Sequence, residues 1–144
     1  MSEAKKELNK LTIEDILKRK KFFEEKKKET KELYIKSLDS TITIKKPSKE
    51  LLIDCLSMEE EGDGDTYLVY ESIVSPDLHS KKLRDAFADQ IKEPTDIVDI
   101  LFDYMEVRDI SIELINMSGN GGVKPVDEID YTYLLLPVRM SSNM

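Results

Sequence analysis

Apolar residues crowd into one stretch of the chain, residues 94–117, and thin into charged sequence on either side. Thr95 follows Pro94 and precedes Asp96, so its hydroxyl can cap free amides while Asp96 and Asp99 sit in the positive first turn of a helix. Ile97, Ile100, Leu101, Tyr104 and Met105 recur at spacings of three and four and predict one buried face, with Asp96, Asp99 and Asp103 opposite. Val107, Ile110, Leu114 and Met117 form a second set that points well over 90° away from the first at about 100° per residue. One straight helix cannot bury both. The pattern predicts two helices broken between Asp103 and Glu106, which have capping-box spacing, and a stop at Ser118 and Gly119.

Upstream, Thr12 and Asp15 open a helix with a partial stripe of Leu8, Leu11, Ile13, Ile16, Leu17, Phe22 and Phe23. Residues 24–32, EEKKKETKE, extend it as a solvated or frayed segment. The period then drops to two. Leu33 and Ile35, then Ile42 and Ile44, alternate with polar residues around Asp39 and Ser40, which predicts a β-hairpin turning on that pair. Pro47 and Ser48 end it and cap a helix in which Leu51, Leu52, Cys55 and Leu56 share a side. Residues 67–74, YLVYESIV, are apolar on nearly every side, so period alone does not separate helix from strand. Ser75, Pro76 and Asp77 predict a helix start with proline in its first turn, and Leu83, Phe87 and Ile91 turn inward from the helix that follows. After Gly119 the chain becomes glycine-rich, then carries Tyr131, Tyr133, Leu134, Leu135 and Leu136 before Pro137.

The fold class expected is therefore mainly α with a small β-hairpin (α+β): a compact helical domain with an N-terminal charged helix and a flexible C-terminal tail. The expected division is residues 1–32 as a charged helical arm, 33–118 as hairpin plus helical core, and 119–144 as a tail with an apolar segment.

Charge sharpens this picture. The net charge of −8 opposes general binding to nucleic acid or anionic membrane. It is unevenly placed: residues 1–36 hold 12 Lys plus Arg against 8 acids, residues 47–118 hold 6 against 18. Basic arm and acidic body are complementary, within a chain or between copies.

The candidate chemistry is sparse. Cys55 is the only cysteine and His79 the only histidine, with no motif linking them as nucleophile and base. A lone cysteine suits a reducing compartment. The acidic run 59–65, EEEGDGD, lacks the ligand order of an EF-hand. GNGGVKP, residues 119–125, lacks the leading strand and following Lys-Ser or Lys-Thr of a phosphate loop. No apolar run approaches the roughly 20 residues of a membrane span, and MSEAKKELNK has no signal-peptide core. A cytosolic protein without enzymatic activity, metal or cofactor is expected.

Four blocks carry a family resemblance: LTIEDILKRK with the charged segment after it, LYIKSLDSTITIKKPSKELL, YLVYESIVSPDL with LRDAF, and KEPTDIVDILFDYMEVRDISIELI. Together they resemble the XkdN-like tail assembly chaperones of tailed bacteriophages and phage-like elements, over about residues 11–119. The resemblance implies a small, mainly helical protein in the host cytoplasm that is absent from the mature virion. Its implied partners are the tape-measure protein and the tail-tube protein; the charge pattern adds self-association between arm and body, and no nucleic acid or membrane is expected. It implies no cofactor and no catalytic residue, and favours helix for residues 67–74. The leucine-rich tail departs from the family pattern. Contacts to a partner are expected from Ile110 and Leu114 and from the Tyr133, Leu134, Leu135 and Leu136 segment, which docks either on such a partner or on the protein's own core. An acidic protein-binding adaptor unrelated to tail assembly is the competing expectation.

Overall fold

The computed structural model describes residues 8–60, 62–119 and 121–128. Over these the protein is mainly α-helical with a small three-stranded antiparallel sheet. It divides into two units, Lys21–Asn120 and Met1–Lys20 with Gly121–Met144.

In the smaller unit, helix α1 (Ile13–Lys18) begins with a closed capping box. Thr12 Oγ1 accepts from the Asp15 amide and Asp15 Oδ2 accepts from the Thr12 amide, both at 3.1 Å. The helix buries no residue.

A second helical segment, α2 (Lys20–Glu25), passes through a 3-10 turn at Lys26–Lys28 into strand β1 (Thr30–Ile35). The expected boundary at residue 32 thus falls inside a strand. Thr30, Lys31 and Glu32 are drawn out of the polar helical run because β2 (Ser40–Lys45) offers them backbone partners, from Thr30 opposite Lys45 to Ile35 opposite Ser40. The turn is also longer than the Asp-Ser pair expected. A 3-10 turn at Lys36–Leu38 precedes Asp39, which takes the left-handed conformation at φ 47°, and Tyr34 Oη donates to its carboxylate at 2.6 Å. Asp tolerates that conformation better than most side chains.

Ile35, Ile42 and Ile44 line one face of the hairpin, and each is 4% exposed or less. At about 1.5–3 kcal/mol per buried aliphatic side chain, this face is the main gain from forming the sheet. Ser48 caps α3 (Lys49–Leu56), its Oγ accepting from the Leu51 amide at 3.1 Å. Cys55 is buried and Leu51 and Leu52 half-buried, but Leu56 is 82% exposed: it closes the helix where the chain leaves for the acidic loop.

The ambiguous stretch is both helix and strand. Helix α4 (Asp63–Ser72) buries Leu68, Val69 and Tyr70, and β3 (Ile73–Ser75) then pairs antiparallel with β2. Gly64 in the first turn of α4 packs against the end of α3: a Cβ there would lie 2.5 Å from the Cys55 carbonyl oxygen. The helix expected at Pro76 starts later. Asp77 turns the chain by accepting from the His79 amide at 3.0 Å, and Ser80 caps α5 (Lys81–Ala86). Leu83, Phe87 and Ile91 pack against the core as expected.

Helices α6 (Asp96–Leu101) and α7 (Tyr104–Met117) form the expected pair, broken at Phe102 and Asp103. The Asp103 amide donates to Glu106 Oε1 at 2.9 Å, closing the start of α7. Thr95, expected to cap α6, makes no such bond. The first amides of α6 are met by backbone carbonyls instead, Asp96 donating to Glu93 and Val98 to Thr95, both at 3.0 Å, while the Asp96 carboxylate accepts from the amides of Glu93 and Lys92 at 3.1 and 2.9 Å and ties down the preceding turn. The bonds from Glu93 and Lys92 hold the Asp96 pKa below the ordinary carboxylate range. The inward face of α6 is also rotated. Ile97, Val98 and Phe102 are buried, whereas Tyr104 and Met105 are about 60% exposed because the break assigns them to the outer side of the first α7 turn. Val107, Ile110 and Leu114 are buried, and Met117 packs beside them, as the second apolar set predicts.

Ser111 and Ser72 are the buried polar residues of this core. Ser111 Oγ donates to Asp65 Oδ1 at 2.7 Å, whereas Ser72 Oγ has no partner among the described residues.

Candidate functional site

The sequence-expected contact residues are distributed unevenly by the fold. Ile110 is 2% exposed and Leu114 fully buried, so both are core residues rather than contact residues. The same helical spacing that singles them out points them inward. Ile112 and Ile115, which the spacing places on the other side of α7, are 46% and 45% exposed. Tyr133, Leu134, Leu135 and Leu136 lie outside the described residues.

Exposed large aliphatic side chains cluster in the N-terminal segment. Leu11, Ile13 and Leu17 are each about two-thirds exposed, and Leu8 and Ile16 are also open. A helix of six residues is too short to persist on propensity alone, so a capped helix with a bare apolar stripe is suited to being covered.

The body carries a different feature at the edge of its sheet. The strand order is β1-β2-β3, so among the described residues β1 has a strand neighbour on one side only. The Lys46 amide donates to the Glu29 carbonyl at 2.9 Å just before the ladder. With the register of β1 on β2, this aims the backbone groups of Lys31, Leu33 and Ile35 at β2 and those of Thr30, Glu32 and Tyr34 away from it. Beside that edge lies a groove of about 380 Å³ between β1 and α7, lined by Leu33, Ile35, Glu106, Asp109, Ile112 and Glu113 among others. Lys31 Nζ meets Glu113 Oε1 at 2.7 Å, and Glu106 accepts from Ser37 as well as from Asp103. The bonds from Asp103 and Ser37 hold the Glu106 pKa below its ordinary range. The Asp109 carboxylate has no hydrogen bond or ion pair among the described residues.

A second cleft, of about 450 Å³, lies between α4 and the start of α6 and is lined by Tyr67, Tyr70, Asp63, Glu71, Asp96 and Asp99 among others. Asp99 is pushed up by burial and by the neighbouring Asp96 and Asp63. Among the described residues, no group of three metal-ligating side chains is gathered, here or elsewhere.

The two residues weighed as nucleophile and base have separate roles. Burial, with Asp54, Asp65 and Glu71 adding to it, pushes the Cys55 thiol up to about 11, so it stays protonated and a poor nucleophile at neutral pH. The His79 ring stacks on Tyr70 at 4.1 Å, with Nε2 at 3.3 Å from the Tyr70 carbonyl oxygen.

No protein-family model, curated protein or solved structure matches the chain. Among the described residues, no helix is long and apolar enough to cross a membrane.

Proposed function

We propose that this protein is a non-enzymatic tail assembly chaperone of a tailed bacteriophage or prophage, acting in the host cytoplasm on the tape-measure protein and helping to recruit tail-tube subunits around it. The observation that carries the reading is the capped N-terminal helix with Leu11, Ile13 and Leu17 exposed in strongly charged sequence. Keeping a long helical client soluble takes several weak apolar contacts on a carrier that is otherwise well solvated, and this segment offers them. The four sequence blocks that resemble the XkdN-like chaperones supply the identity of the client. The charge contrast between residues 1–36 and 47–118 suits association between copies along such a client.

Co-expression with the tape-measure protein encoded nearby tests the reading. A soluble complex that co-elutes on size exclusion, with several copies of this chain per client, is the expected result. A tape-measure protein left insoluble beside a folded, indifferent partner would overturn it and favour the adaptor reading.

A further inference from the structure

We propose that the free edge of β1 is a strand-addition site that takes an extended segment of another polypeptide in which apolar and basic residues alternate. This does not depend on the chaperone reading, because it rests on the geometry of the sheet edge and of the acidic groove beside it.

Thr30, Glu32 and Tyr34 direct their amides and carbonyls outward, and among the described residues no backbone bond engages them. An added strand would satisfy these groups in register, which supplies affinity without regard to sequence. Selectivity comes from the groove beside the edge. Alternate side chains of the incoming strand, the basic ones, point into it, where their aliphatic stems lie on Leu33 and Ile112 and their charged ends meet the α7 carboxylates, while the apolar set faces the other side of the sheet. Glu106, Asp109 and Glu113 recur at helical spacing along that wall, and Lys36 is the one base lining it. Lys31, the charge on the groove side of the strand itself, is tied to Glu113. Asp109 is left to receive a cation from the ligand.

The same acids argue against a second copy as occupant. A two-fold pairing of β1 with itself centred on Glu32 would set that carboxylate against its own copy. Centred on Leu33, it would draw the two α7 acidic rows toward one axis. Like charges held at such separations are destabilising.

Amide hydrogen exchange by NMR on the whole chain tests this, with two synthetic peptides as probes: Lys-Val-Lys-Val-Lys-Val-Lys and its Glu-for-Lys counterpart. In the free protein the amides of Glu32 and Tyr34 should exchange at least about tenfold faster than those of Leu33 and Ile35, which donate to β2. The lysine peptide at about 1 mM should slow Glu32 and Tyr34 selectively. The glutamate peptide should not, and Asp109→Lys should weaken the effect of the lysine peptide. Tyr34→Pro removes one outward donor and leaves the β2 pairing intact, so it should abolish the effect in a folded protein. Three results would overturn the proposal: Glu32 and Tyr34 already protected in the free protein, whether at all concentrations or only as concentration rises; equal protection by both peptides; or no protection by either.

Discussion

Gly64→Ala isolates one contact on which the packing of α3 against α4 depends. The glycine does not sit at positive φ, so alanine faces no backbone strain there and only the space is at issue. The added Cβ would lie 2.5 Å from the Cys55 carbonyl oxygen and 3.3 Å from its carbon. The first distance is well inside van der Waals contact, and the obstacle is backbone, which no rotamer change relieves. One effect favours alanine: about 0.4–1 kcal/mol from a less disordered unfolded chain, which is also the main source of its better helix propensity. Against it stands an overpacking cost of about 1–3 kcal/mol, toward the upper end because two helices must separate. The expected net effect is a loss of about 1–2 kcal/mol, which lowers Tm by about 5–15 °C in a domain of this size. Urea and thermal unfolding followed by far-UV circular dichroism measure it. Gly122→Ala is the control, since nothing lies within 4 Å of its added Cβ. A Gly64→Ala protein as stable as the parent, or more so, would refute the claim that this approach is tight.

Two buried serines should respond in opposite directions. Ser111→Ala removes a bond to the Asp65 carboxylate and should cost about 1.5–3 kcal/mol in urea unfolding. Ser72→Ala removes a hydroxyl with no partner among the described residues and should be neutral or stabilising. Cys55 should resist thiol reagents until the protein unfolds, so its labelling should follow the urea transition. Because its folded pKa of about 11 lies above the value of 9.0 for a free thiol, its contribution to stability is complete below pH 9 and is lost as pH rises toward 11. Cys55→Ala should flatten the stability profile there. Asp96 shows the reverse sign: with its pKa depressed in the fold, its contribution to stability is present above its unfolded pKa and is lost as pH falls through the folded one. Asp96→Asn should therefore reduce the acid sensitivity of unfolding, read by circular dichroism from neutral pH down to about pH 2.

Where periodicity was strong, the sequence was sufficient. Val107, Ile110 and Leu114 lie inward at their expected spacing, and Leu33, Ile35, Ile42 and Ile44 form the inner face of the hairpin. Polar sequence was less legible. Nothing local in Thr30-Lys31-Glu32 opposes helix, and only pairing with β2 makes it strand. Tyr104 and Met105 were misplaced by continuing one helical period across a break that lies one residue earlier than expected. The candidate groove was not legible at all. It depends on which edge of the sheet stays open and on α7 running beside it, neither of which a local pattern encodes. The one hint was the acidic spacing of Glu106, Asp109 and Glu113, which reads equally well as an ordinary solvated face.

The order of the three strands along the chain also bears on how the protein is made. The β1–β2 turn closes over residues 36–39, whereas joining β3 to β2 encloses residues 46–72. On a logarithmic loop-closure law the second step costs about 1.7 kcal/mol more in chain entropy. The hairpin is therefore the first tertiary element available to a growing chain, and an isolated hairpin is marginal at best. Its isoleucines finish in one apolar cluster with residues of α4 and α7 that emerge from the ribosome tens of residues later. During synthesis there is an interval in which a β-rich apolar face is complete and uncovered. Lys31, Lys36, Lys45 and Lys46 at the ends of its strands are placed to keep nascent chains apart until α7 arrives.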